Sequence, residues 1–290
     1  MIEPVVTTIP GGFFANGGRC REAHLRPLTG EDHIFLTEEC GGLLPAQWVT
    51  EALTRCVTRL GPNEPVTREA IRFLTVGDRE ALLLHLRRLT SGNRLRCLLA
   101  CPSPECKEKL EVDPEVADLL LPPYAEAVQE HALTIRDEGA VSSVVCFRLP
   151  TGFDQEAAAV IARTDVASGA DFLLRRCVQS ATLFDGRPVN EFSPALVAQL
   201  ADRMAELDPQ AEITLHLTCP VCGAAFSEIF DTANYLMQEL YDGMRRLYRE
   251  VHLLAYHYHW SATEILGMSA ARRRQFLRLL EEELAQGAEQ

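Results

Sequence analysis

Two patterns of apolar and polar positions alternate along this chain. Longer runs with apolar residues three or four positions apart predict helices, as at 68–74, 78–89 and 194–206. Short extended runs bounded by turn residues predict strands, as at 95–101 and 212–219. Because the strand-like runs are short and come in adjacent pairs, the pattern predicts an α+β fold built from hairpins and helices.

Each half of the chain is expected to open with a β-hairpin that leads into a helix. In the first half the turn is predicted at Asn16-Gly17, and in the second half at 137–139. Thr29-x-x-Asp32 and Thr151-x-x-Asp154 follow these hairpins. A threonine can cap free backbone N–H groups there, and the acidic residue suits the positive end of a helix. The motif lacks the glycine spacing and the lysine of a phosphate loop, which favours capping.

The two halves also share landmarks in the same order. The octapeptide 25–32 matches 147–154, Arg55-Cys-Val57 matches Arg176-Cys-Val178, and a cysteine hairpin ends each half. The spacing between the paired landmarks stays nearly constant, which indicates an internal duplication. We therefore expect a first repeat at 1–121, a second repeat at 122–230 and a helical C-terminal segment at 231–290.

Four cysteines form the strongest candidate site. Cys101-Pro-Ser-Pro-Glu-Cys106 and Cys219-Pro-Val-Cys222 each lie between two strand-like runs. A short turn places both sulfurs of a hairpin on one side, and two such turns supply the tetrahedral sulfur ligands that Zn²⁺ favours. If the repeats fold alike, the four thiolates hold one structural zinc ion between the halves.

The remaining cysteines carry weaker expectations. Cys97 lies close enough in sequence to Cys101 to replace it as a ligand. Cys56 and Cys177 each stand alone on a predicted helix and are interpreted as small core residues. Two alternatives to the metal site stay open: reduced, inert cysteines, or a redox-active dithiol at Cys219 and Cys222, which is favoured only at a helix N-terminus.

Composition narrows the classes of function. The chain has 290 residues, ten cysteines, 47% hydrophobic residues and a net charge of −13. This charge disfavours broad nucleic-acid binding, which requires a cationic surface. The sequence contains no apolar run long enough to span a membrane and no signal-peptide pattern at its start, so a cytoplasmic setting is expected. In that setting paired cysteines indicate metal or redox chemistry rather than disulfides.

The C-terminal segment is predicted to be helical throughout. An amphipathic helix at 231–249 precedes an aromatic and histidine-rich stretch at 250–260. Ser261-x-x-Glu264 forms a capping box that starts a short helix at 262–266, and the last helix follows at 270–284. The three histidines of this stretch are interpreted as packing residues, since His-x-His spacing on a helix points the rings apart. Arginines near the end are interpreted as a solvated helix face.

Several of these stretches resemble a known family. They are 25–32, 74–84, the two Cys-Pro hairpins and 252–261, and they are similar to the T4-type baseplate hub assembly proteins of contractile-tailed phages and phage-derived injection systems. The resemblance implies an assembly factor or minor baseplate component that acts at the hub, spike or tape-measure end of the tail and binds hub, spike or tape-measure proteins. It transfers no catalytic residues.

The residues themselves also favour a non-enzymatic protein. The sequence contains no evident nucleophile–base pair, phosphate loop or pair of catalytic carboxylates. Two alternatives stay open at this point: a zinc-containing DNA-binding regulator that reads DNA with residues 261–284, and a thiol oxidoreductase that uses Cys219 and Cys222.

Overall fold

The computed structural model describes residues 3–15, 17–124, 130–137, 140–183, 185–189 and 191–288. Helices and antiparallel sheets are mixed along the chain, which confirms the predicted α+β class. Asn16, Glu138 and Gly139, on which the two predicted hairpin turns partly rest, lie outside the described residues. No helix within the described ranges has both the length and the apolar character needed to cross a membrane.

A first unit begins with a three-stranded antiparallel sheet and continues to a hairpin. Its elements in chain order are β1 (Val5–Ala15), β2 (Gly18–Leu25), α1 (Gly30–Ile34), a π-helical turn (Phe35–Glu39), α2 (Pro45–Cys56), β3 (Val57–Leu60), α3 (Arg68–Phe73), α4 (Val76–Ser91), β4 (Cys97–Ala100), β5 (Lys109–Val112) and α5 (Val116–Leu119). Strand order in the sheet is β1-β2-β3, and β4 pairs with β5 separately.

A second unit has a similar order of elements. It comprises β6 (His131–Asp137), β7 (Ala140–Phe147), α6 (Gly152–Ala162), α7 (Val166–Cys177), β8 (Val178–Leu183), α8 (Pro194–Leu207), a 3-10 turn (Pro209–Ala211), β9 (Thr214–Thr218) and β10 (Ala225–Ile229). Its sheet order is β6-β7-β8, and β9 pairs with β10. Two helices lie between the second and third strands of the sheet, as in the first unit.

The matched landmarks of the sequence have the same structural role in both units. Asp32 pairs with Arg26 and Arg55, and its carboxylate also accepts a hydrogen bond from the backbone N–H of Thr29 at 2.9 Å. Asp154 pairs with two arginines in the same way and accepts from the backbone N–H of Thr151 at 3.0 Å; its arginine partners are Arg148 and Arg176. Each buried aspartate therefore joins a strand end, a helix start and a second helix.

Backbone hydrogen bonds connect the two units at the start of α4. The N–H of Val76 donates to the carbonyl of Pro150 at 3.1 Å, and the N–H of Gly152 donates to that of Leu74 at 3.1 Å. The N–H of Gly77 donates to the Asp208 carboxylate at 2.9 Å. A Cβ at this glycine would lie 1.9 Å from an Asp208 oxygen, so the close approach requires glycine.

Three helices complete the chain: α9 (Thr232–Tyr258), α10 (Ala262–Leu266) and α11 (Ala270–Ala288). Helix α9 is longer than predicted because the stretch 250–258 continues it without a break, and it ends at His259 in a left-handed conformation with φ of 56°. Its residues Leu236 and Leu240 pack in the apolar core of the first unit, together with Trp48 and Leu53. A separate core around Phe147 and Leu200 stabilises the second unit.

Candidate metal centre

The first cysteine hairpin places two thiols at the tip of β4 and β5. The N–H of Cys101 donates to the carbonyl of Glu108 at 2.8 Å, and the N–H of Cys106 donates to that of Ser103 at 3.1 Å. Lys107 adopts a positive φ of 49° and turns the chain back into β5. The turn thus directs Cys101 and Cys106 to the same side of the hairpin.

The second hairpin reaches the same arrangement with a tighter turn. The N–H of Cys219 donates to the carbonyl of Ala224 at 2.9 Å, and the N–H of Gly223 donates to that of Cys219 at 2.9 Å. Gly223 has a φ of 72°, which favours glycine directly after the second cysteine. The motif lies between β9 and β10 and not at a helix N-terminus, where a redox dithiol is expected.

The four sulfurs converge from the two units. The Sγ atoms of Cys101 and Cys222 are 3.6 Å apart, those of Cys106 and Cys219 are 3.8 Å apart, and all four lie within 4.8 Å of one another. A tetrahedral Zn²⁺ site with Zn–S bonds of about 2.3 Å has sulfur–sulfur edges of about 3.8 Å. The spacing of the donor atoms therefore fits a tetrahedral S₄ site, and these atoms can hold one metal ion.

The site is shielded on one side and open on the other. Cys101 and Cys219 are buried and pack with Leu110 and Phe226, whereas Cys222 is exposed. Backbone N–H groups of Cys222 and Val221 lower the pKa of the Cys219 thiol to about 7. The backbone N–H of Ser103 also lowers the pKa of the Cys101 thiol. Burial and the neighbouring thiols outweigh it and raise this pKa to about 12. A bound cation would favour the thiolate form of these groups.

Other cysteines lie away from this cluster. Cys97 is not part of it and instead packs beside the apolar cluster of Leu84 and Leu95, so the structure gives no support to Cys97 as a substitute ligand. Cys56 and Cys177 are fully buried in the cores of the two units, which confirms their interpretation as core residues. Burial raises the pKa of both thiols to about 12.

The histidines of α9 form no metal cluster among the described residues. His252 stacks on Tyr256 at a centroid distance of 6.4 Å, and His257 meets the edge of the same ring at 5.0 Å. Near the chain end, Trp260 stacks on Tyr258 at 4.7 Å and meets Phe276 of α11 edge-on at 4.8 Å. The contacts of Tyr258 and Trp260 with Phe276 join α11 to the end of α9. The three histidines of this stretch, His252, His257 and His259, are all exposed, so their interpretation as packing residues is wrong.

One arginine near the C-terminus differs from its predicted solvated position. Arg273 is only 3% exposed and pairs with Glu250 at 2.8 Å. The sequence signal for this pair is weak, because 23 positions separate the residues and the neighbouring arginines are exposed. Since Arg273 is committed to the protein interior, it cannot serve in a DNA-reading surface at 261–284.

Comparison with known families decides the identity of the chain. A family model described as T4 bacteriophage base plate protein matches residues 20–237 of the 290-residue sequence. The chain belongs to this baseplate family. The match includes both cysteine hairpins and both aspartate clusters, and it ends early in α9. Searches among curated proteins and among solved structures found no match.

Membership of the baseplate family confirms the resemblance seen in the sequence and makes the chain a phage baseplate protein. Such a protein interacts with other baseplate proteins. The family is structural, which favours a non-enzymatic role over the oxidoreductase alternative.

Proposed function

We propose that Cys101, Cys106, Cys219 and Cys222 hold one structural zinc ion. The observation that carries this proposal is the convergence of four sulfurs from two separate hairpins within 4.8 Å. A bound Zn²⁺ would supply four bonds that join the units and would neutralise part of the thiolate charge. The cysteines act as ligands only, and no reaction is assigned to them.

The joined units form the scaffold of a non-enzymatic baseplate component. In this proposal the protein acts as an assembly factor or minor structural part at the baseplate hub of a contractile tail or injection system. It is made in the bacterial cytoplasm, binds hub, spike or tape-measure proteins, and is incorporated into the tail in systems that retain it. The baseplate family match supports this role.

We further propose that the two units arose by internal duplication. The support comes from the aspartate clusters, since Arg26, Asp32 and Arg55 match Arg148, Asp154 and Arg176 in both sequence order and ion pairing. The boundaries at 1–121, 122–230 and 231–290 remain the predicted division of the chain. The zinc ion would then be bound by corresponding hairpins, one from each copy.

The test of the function is genetic and biochemical. The gene is deleted in its phage or injection system, and particles are examined by electron microscopy with and without complementation. We expect particles without assembled baseplates or sheaths, and restored assembly with the native gene. Normal sheathed particles after deletion would overturn the assembly role. Co-purification with named hub, spike or tape-measure proteins then identifies the partner.

A further inference from the structure

A cleft of about 560 Å³ lies between α4, α9 and α11, away from the four cysteines. Six arginines line it against three acidic residues, so the cleft carries a surplus of positive charge at neutral pH. The whole chain has a net charge of −13, and this local surplus is therefore opposite in sign to the protein as a whole. Its volume falls in the range of binding pockets, which is about 300–1,000 Å³.

Two of these arginines are buried and neutralised in the floor of the cleft. Arg87 donates to both carboxylate oxygens of Glu239, at 3.1 and 2.7 Å. Arg273 donates to Glu250 at 2.8 Å and to the carbonyl of Met268 at 2.7 Å. These pairs fix the floor but leave little charge for a ligand.

The remaining arginines supply the free positive charge at the rim. Arg94, Arg96 and Arg274 are exposed, and among the described residues none of them has a carboxylate within salt-bridge distance. Arg246 is 76% exposed and lies 3.8 Å from Glu250, which already pairs with Arg273. One further acidic residue, Asp242, lines the cleft and accepts a hydrogen bond from Gln238.

The rim near Arg94 and Arg96 is held in place by the floor. Arg87 donates through Nη1 to the carbonyls of Gly92 and Arg94, at 2.7 and 2.5 Å. The Tyr235 hydroxyl accepts from the N–H of Arg96 at 2.9 Å and donates to its carbonyl at 3.3 Å. The backbone that presents the free arginines is therefore pre-organised, which lowers the cost of ordering it on binding.

We propose that this cleft binds an acidic segment of a partner protein, with Arg94, Arg96, Arg246 and Arg274 contacting its carboxylates. This inference deepens the proposed function and rests on it, because it identifies the surface and the chemistry of a baseplate partner. Planar guanidinium groups match carboxylates in paired hydrogen bonds, and arginine is enriched at protein interfaces. The acidic character of the rest of the surface weighs against a nucleic acid as the ligand, since a phosphate backbone would be repelled beyond the cleft.

The experiment measures binding of a fluorescein-labelled glutamate–alanine peptide by anisotropy, with a glutamine–alanine peptide of equal length as the neutral control. The test variant is Arg94→Gln/Arg96→Gln/Arg274→Gln. The matched variant Arg163→Gln/Arg187→Gln/Arg203→Gln removes the same charge from the second unit. We expect the native protein and the matched variant to bind the acidic peptide alike, the cleft variant to bind on the order of tenfold or more weakly, and added salt to weaken native binding.

In the peptide assay, three results would overturn the inference: no binding of the acidic peptide by the native protein, equal loss in both triple variants, or tighter binding of a duplex oligonucleotide than of the peptide. Sedimentation tests whether a second copy occupies the cleft instead, since residues 281–283 offer an acidic run; a dimer lost only in the cleft variant would also overturn it. Zinc content and unfolding temperature are measured in every variant. If the cleft variant captures the baseplate partner as well as the native protein does, the cleft proposal alone is refuted, whereas failure of the native protein to capture any partner refutes the proposed function.

Discussion

The sulfur atoms of Cys106 and Cys219 lie 3.8 Å apart although 113 positions separate them in the chain. Only a few apolar side chains surround them, and each hairpin has two short strands. An isolated two-stranded hairpin is at best marginally stable in water, and a metal ion bound by the four sulfurs would add a link between these two hairpins. The cysteine cluster is placed to provide it.

Replacement of a single cluster cysteine should remove the metal and destabilise the protein. For Cys219→Ser we expect zinc to fall from about one equivalent per chain to far below it, and the unfolding temperature to fall by about 5 °C or more. Elemental analysis and calorimetry measure the two effects.

The control for this experiment is Cys97→Ser, because Cys97 lies near the cluster in sequence but outside it in space. This variant should retain its zinc. A native protein without bound metal, or a Cys219→Ser variant as stable as the native protein, would show that the four sulfurs are not a structural site.

The buried aspartate of the second unit should make a large contribution to stability at neutral pH. In Asp154→Asn two arginines lose their partner and the start of α6 loses a capping carboxylate. We expect a loss of about 2 kcal/mol in the free energy of unfolding, measured by urea denaturation. Exposed Asp118→Asn is the control and should change it by less than about 0.5 kcal/mol.

The two buried aspartates, Asp32 and Asp154, should make the protein less stable in acid. Although burial acts against it, hydrogen bonds from Arg26 and Thr29 lower the pKa of Asp32 from 3.8 to about 2, and Arg148 and Thr151 do the same for Asp154. A lowered carboxyl pKa stabilises the fold above pH 4, and the contribution is lost as the pH falls toward 2. The native protein should therefore lose more stability between pH 4 and 2 than Asp154→Asn does. Parallel curves for the two proteins would contradict the assignment.

Asp78 should have the opposite effect and make the protein less stable as the pH rises toward neutrality. It is buried at the start of α4 and accepts hydrogen bonds from the N–H groups of Gly11 and Gly12 at 2.6 and 2.8 Å. Burial and the charge of Asp208 raise the pKa of Asp78 from 3.8 to about 7, while Arg19 acts the other way. The folded protein then holds a proton that the unfolded chain releases, so this group lowers the free energy of unfolding as the pH rises from 4 to 7.

The test is Asp208→Asn, which removes the neighbouring negative charge and also the Asp208 carboxyl itself, whose pKa burial raises in the same direction. Urea denaturation of zinc-saturated protein should show that the free energy of unfolding decreases less from pH 5 to pH 8 in this variant than in the native protein. Each unit by which a pKa shift is reduced corresponds to about 1.4 kcal/mol. An unchanged difference between the two pH values would mean that Asp208 does not raise the pKa of Asp78.

Loss of the aromatic contact at the chain end should release the last helix. Phe276→Ala removes the partner of Trp260 and Tyr258, so limited proteolysis between α9 and α11 should become faster. Leu279→Ala, on the exposed face of the same helix, is the control. Zinc content should stay unchanged in both variants. Equal cleavage rates in native protein and Phe276→Ala would show that the aromatic contact does not hold α11.

Sequence patterns predicted the local elements well. The strands predicted within 95–101 and 212–219 and the capped helices after Thr29 and Thr151 follow from turn and capping residues that act over a few positions. The cysteine hairpins were recognisable for the same reason, and the matched landmarks supplied a reason to pair them. The end of the amphipathic helix was placed at 249, although no glycine or proline lies between Gly243 and His259 to mark a stop there.

Long-range relations could not be predicted in this way. Asp78 meets Gly11 across 67 positions, and Arg87 meets Glu239 across 152. Nothing in the local sequence indicates either pairing, since both depend on how distant elements pack. The arginine cleft was missed for this reason: its members come from α4, α9, α11 and the chain just before β4, and each looks like an ordinary exposed charge in its own segment.

The packing of Leu236 and Leu240 into the first core has a consequence for biosynthesis. A ribosome delivers these residues only after the entire second unit has left the exit tunnel, because they follow it in the chain. Until then the newly made N-terminal half carries an uncovered apolar face around Trp48 and Leu53. The core of the N-terminal half is therefore completed late in synthesis, when α9 emerges.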